Sequence, residues 1–115
     1  MLPELVSTLE TPESLERRHA SRNNAEGPAK FIDRFGRAIV VELVDLSEDG
    51  VGVWSSEPAE CGSLVTIALP ARRSYKRIQL SAKVVECLVT APGLWRIGFL
   101  FDRRLDALEL AAALP

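Results

Sequence analysis

The sequence predicts a small, mainly β protein: an antiparallel barrel or sandwich of about six short strands with one helix at its C-terminal end. Three observations carry that expectation. Apolar and polar residues alternate at the start of 77–87 and again in Leu94–Phe101, the period of a strand with one buried face. Clusters of turn-forming residues separate these runs from others of similar length. After Asp102 the apolar spacing lengthens to that of a helix.

Bulk properties bound the problem. A chain of 115 residues fits one domain. With 47% hydrophobic residues it can bury a core, and 26% charged residues is ordinary for a globular protein. A net charge of −2 gives no global attraction to nucleic acid or anionic lipid. No apolar run approaches the roughly 20 residues that span a bilayer, and no basic and apolar leader is visible. A cytoplasmic location without membrane insertion is therefore expected. Cys61 and Cys87 are the only cysteines, too few for a disulfide scaffold, and are expected to be reduced. His19 is the only histidine and there is no C-x-x-C spacing, so no metal site is expected.

Taken in order, residues 1–15 carry Glu4, Glu10 and Glu13 and no Lys or Arg, and they are expected to form a flexible N-terminal segment. Within them Thr11-Pro12-Glu13 has the chemistry of a helix start. Residues 23–28 hold turn formers and predict a loop. A short strand is expected at 29–33 and a turn at Phe35-Gly36-Arg37. Ala38–Leu46 is rich in β-branched residues. Ser47-Glu48-Asp49 turns the chain into Gly50–Ser55. Leu64–Leu69 ends at Pro70. The basic stretch 72–77, with Tyr75 inside it, predicts a solvated hairpin more readily than a nucleic-acid patch. In the run at 77–87, Ile78, Leu80, Ala82 and Val84 share one face. Ala91-Pro92-Gly93 turns into Leu94–Phe101, where Trp95, Ile97, Phe99 and Phe101 oppose Arg96 and Gly98. Asp102 is the expected cap of a helix reaching about Ala113, with Leu105, Leu108 and Ala112 on its buried stripe.

Two motifs carry chemistry. The first is Arg17-Arg18-His19-Ala20-Ser21-Arg22. A guanidinium forks onto phosphate oxygens or onto the O6 and N7 acceptors of guanine, and Arg18 and Arg22, four apart, can reach one ligand together. The second is Asp45-Leu46-Ser47-Glu48-Asp49-Gly50. An Asp accepts from the N1–H and N2–H₂ donors of guanine, and a Ser hydroxyl donates or accepts beside it. Gly50 permits close approach and a positive φ. Read singly, the first motif also suits a solvated face and the second an ordinary turn. No G-x-S-x-G elbow or oxyanion hole accompanies them, so no enzyme and no catalytic residue is expected.

Together, R-R-x-x-x-R before the first strand and D-x-S-x-x-G closing the second resemble the PilZ domain. Val51-Gly52-Val53 and Arg96-Ile97-Gly98-Phe99 are similar to that family too. The resemblance spans roughly residues 16–113. It implies a flexible arm over 1–15 and a PilZ domain over 16–115, a six-stranded antiparallel PilZ-type β-barrel with a C-terminal α-helix. It also implies a receptor for cyclic di-GMP, with no other cofactor. Arg18 and Arg22 would then grip phosphates and guanine edges. Arg17 would favour an intercalated ligand dimer. Asp45, Ser47 and Gly50 would form the barrel-surface half of the site. The implied output is a change in the arginine segment that an effector protein reads, in motility, exopolysaccharide or biofilm control. A ligand-independent adaptor of the same fold is the alternative.

Overall fold

A computed structural model describes residues 23–72 and 77–115. Among the described residues, seven strands and one helix follow in chain order: β1 (Asn23–Asn24), β2 (Pro28–Ile32), β3 (Ala38–Leu46), β4 (Gly50–Ser55), β5 (Leu64–Leu69), β6 (Ile78–Ala91), β7 (Leu94–Phe101) and α1 (Ala107–Ala113). Every pairing is antiparallel. The order β3-β2-β5-β6-β7-β4 closes on itself through β3–β4, a six-stranded barrel. Alternation fills its interior: Ile78, Leu80, Ala82 and Val84 from β6 and Ile97, Phe99 and Phe101 from β7 are all buried. Phe31 and Phe99 meet across the core with ring centroids 5.4 Å apart. Burying a side chain of that size is worth about 1.5–3 kcal/mol. Trp95, partly buried, packs against the same cluster.

Three elements differ from the sequence reading. Asn23–Asn24 is a strand, not a loop. β2 pairs with β3 only as far as Glu42, which leaves the end of β3 with an open edge. β1 covers it, Asn23 opposite Leu46 and Asn24 opposite Asp45, and the Asn23 amide donates to the Leu46 carbonyl at 3.3 Å. β6 does not stop at Cys87 but continues to Ala91 as a ladder with β7. Pro92 and Gly93 close that hairpin, and Gly93 takes φ +74°, which only glycine adopts at little cost.

The third difference is the helix. Its cap is Asp106, not Asp102: the Asp102 N–H donates to the Ser81 carbonyl at 3.0 Å and the Leu105 N–H to Glu48 at 2.8 Å, which keeps this stretch outside the helix. Asp106 accepts from the Glu109 N–H at 2.8 Å while Glu109 accepts from the Asp106 N–H at 3.1 Å, a capping box. Leu108 is 82% exposed, so the expected stripe is wrong; Leu105, before the helix, and Ala113 are the buried residues. The Arg103 guanidinium, 2.8 Å away, holds the Glu109 carboxyl down at about 2, helped by the Asp106 N–H. The Arg72 N–H donates to the Ala112 carbonyl at 2.8 Å, tying the helix end to the barrel.

Candidate functional site

The site is built where β3 ends. A bulge between Leu43 and Asp45 shifts the register, adds twist and re-aims the strand. Beyond it Asp45 lies opposite Asn24 on one side and Gly52 on the other. Val51 and Val53 of β4 point into the core, so Gly52 and its partner Asp45 belong to the outer surface.

The turn that follows is held from within and from behind. Ser47 is fully buried. Its hydroxyl accepts from the Asp49 and Gly50 N–H groups, both at 3.2 Å, and donates to the Gly50 carbonyl at 3.4 Å. Its N–H also donates to that carbonyl, at 2.9 Å. The serine therefore builds the turn rather than facing solvent. Gly50 is not in the left-handed region. Its missing side chain answers a close approach of backbone, because a Cβ there would collide with the Phe99 carbonyl oxygen. Behind the turn, the Phe101 N–H donates to Asp49 at 2.8 Å. Arg104 pairs with Glu48 at 3.0 Å and Asp49 at 3.2 Å.

A residue that sequence reasoning did not assign completes the surface. Arg96 of β7 stands opposite Trp54 of β4, its guanidinium carbon 5.9 Å from the centre of a Trp54 ring. From there it reaches over Gly52 to donate to Asp45 Oδ2 at 2.9 Å. The two charged side chains are 22% and 19% exposed, so solvent and salt screen this pair less than an ordinary surface pair. Trp54 remains 37% exposed. Arg96 was visible in the sequence as an outward arginine in an apolar strand, but its partners depended on a β4–β7 register that periodicity does not supply.

Arg17, Arg18, Arg22 and His19 lie outside the described residues, as do the N-terminal segment 1–15 and residues 73–76 of the basic stretch. Asn23, the first described residue, follows Arg22 directly in the chain. Cys61 and Cys87 are free thiols. Among the described residues no group of His, Cys, Asp and Glu could hold a metal ion, and no helix is long and apolar enough to cross a membrane.

Residues 16–113 match the PilZ domain family. The chain belongs to that family. No curated protein matches it. Among solved structures it is similar to the Bacillus subtilis inhibitor of motility, MotI/DgrA, with a TM-score of 0.66 at 13% identity. The match covers 84% of this chain and 48% of that one, so the PilZ domain described here spans about half the length of MotI/DgrA. At that identity the likeness speaks for the fold.

Proposed function

We propose that this PilZ domain is a receptor for cyclic di-GMP. The observation that carries the reading is the pairing of β1 with the end of β3. Asn24 lies opposite Asp45, and Arg22 precedes Asn23 by one peptide bond. Consecutive Cα atoms are about 3.8 Å apart, so the arginine motif joins the barrel at the edge of the strand that bears Asp45. In this reading the chain carries chemistry for both parts of a guanine dinucleotide: guanidinium groups for phosphate and the Hoogsteen edge, and a carboxylate for the N1–H and N2–H₂ edge. Ser47 and Gly50 serve by shaping the turn that presents Asp45. Membership of the PilZ family supports the same ligand.

Binding would bridge the N-terminal segment to the barrel, and an effector protein would read the new arrangement. The output is proposed to lie in motility, exopolysaccharide or biofilm control, in the cytoplasm, by binding rather than turnover. Calorimetric titration with cyclic di-GMP tests this. Wild type should give saturating heat, and Arg18→Ala, Arg22→Ala and Asp45→Ala should each weaken binding by about tenfold or more, the scale of a lost charged or bidentate contact. Arg17→Leu should lower the ligand ratio toward one per chain. No heat from folded wild type would favour the ligand-independent adaptor.

A further inference from the structure

We propose that Arg96 is a positioning residue that sets the Asp45 carboxylate for guanine and so governs base selectivity; this rests on the cyclic di-GMP reading. Two features of the outer wall hold the arginine in place. The face of Trp54 lies beneath its guanidinium at 5.9 Å, within the range of a cation–π contact. The second is an absence of bulk: a Cβ on Gly52 would sit 2.7 Å from Cζ and Nη2 of Arg96 and closer still to Nη1. The guanidinium can cross β4 to Asp45 only because residue 52 has no side chain. It then donates to Oδ2 at 2.9 Å.

The last torsion of an aspartate has broad wells, so the plane of its carboxylate is set by the groups that bond it. Guanine offers it two donors in one plane, N1–H and N2–H₂. Adenine has an acceptor at N1 and no amino group at C2. A carboxylate fixed in the plane of the base rewards guanine with two bonds and meets the N1 lone pair of adenine with repulsion. One that can rotate away loses part of both effects. Arg96 restricts that rotation from one oxygen, and that oxygen has lone-pair capacity for a second bond.

Gly52→Ala separates this role from folding. At Gly50 the obstacle to a side chain is backbone, whereas at Gly52 it is the far end of a flexible arginine. An alanine at 52 therefore displaces the guanidinium at little cost to the barrel. Titration of wild type, Gly52→Ala and Arg96→Met with cyclic di-GMP and cyclic di-AMP, beside thermal melts, provides the test. The ¹³C signal of the Asp45 carboxyl is followed in the ligand-free proteins. Gly52→Ala should melt within a few degrees of wild type. Its carboxyl signal should move toward that of Arg96→Met. It should lose about tenfold in affinity for cyclic di-GMP, with its preference over cyclic di-AMP falling by a similar factor. An unmoved carboxyl signal in Gly52→Ala would overturn the proposal. So would equal losses for both ligands, which would make Arg96 a contact to the shared phosphates. If wild type binds neither ligand, the receptor reading fails, and the carboxyl signal still decides whether Arg96 positions Asp45.

Discussion

Two turns of this barrel use the same chemistry and do different things. In the turn after β2, Asp33 Oδ1 accepts from the N–H groups of Phe35 and Arg37, both at 2.9 Å. In the turn after β3, Ser47 Oγ accepts from Asp49 and Gly50. Each turn also contains a glycine. Yet the first stands in water, with Phe35 81% exposed and open space around Gly36. In the second, Ser47 and Gly50 are buried, and the turn is fastened by Arg104 and by the backbone of Phe101 and Leu105, with Asp45 beside it. A side-chain oxygen that accepts local N–H groups makes a turn. What surrounds the turn decides whether it can present a site.

Substitutions should separate the pair, and the glycines should do so most strongly. At Gly50 an added methyl meets the Phe99 carbonyl, so strands β4 and β7 must part. Gly50→Ala should cost about 3 kcal/mol, the upper range for overpacking. Gly36→Ala meets no atom, and its cost is the positive φ of +83°, about 1–2 kcal/mol for a residue with a Cβ. Urea unfolding of both variants measures the gap; equal losses would break the comparison.

The acceptors come next. Ser47→Ala strands the buried Gly50 N–H, which costs about 1–3 kcal/mol. Asp33→Ala exposes its two N–H groups to water, so the loss should stay below about 1 kcal/mol. The same urea experiment reads both. If the serine variant is as mild as the aspartate one, water reaches the second turn and its burial is not what holds it.

The comparison also shows how far residues alone reach. Strands β3, β4, β5 and β7 were legible to the residue, because β-branched runs and strict alternation leave one face to bury. The turn residues were legible as turn residues. What alternation could not supply was tertiary: that Ser47 points inward, that Gly50 yields to Phe99, and that Arg96 crosses Gly52 to Asp45. Each depends on the β3–β4 and β4–β7 registers, set by a bulge and a closed barrel. β1 was missed because two asparagines have no strand propensity; they are extended because β3 offers them an edge. The helix cap was misplaced by four residues. Asp102 and Asp106 are equally good caps by type, and only the use of the Asp102 and Leu105 N–H groups elsewhere decides between them.

Acid should divide the two turns most finely. The Asp33 carboxyl is held below its ordinary value, first by the Arg37 N–H and also by the Phe35 N–H and the Arg37 guanidinium. A carboxyl depressed on folding adds stability that is fully present above its unfolded value near 3.8 and is lost as pH falls through the folded value. Protonation weakens Asp33 as an acceptor, so the turn after β2 loosens. The Ser47 hydroxyl does not titrate, and its two N–H bonds persist. Amide signals followed from pH 5 into the acid range should therefore shift at Phe35 and Arg37 along the Asp33 titration. Those of Asp49 and Gly50 should not follow that titration. An equal acid response at Gly50 would mean that the Arg104 pairs to Glu48 and Asp49, which fasten this turn from behind, carry its hydrogen bonds more than Ser47 does. In that case Arg104→Ala should remove the response at Gly50 and leave Phe35 unchanged.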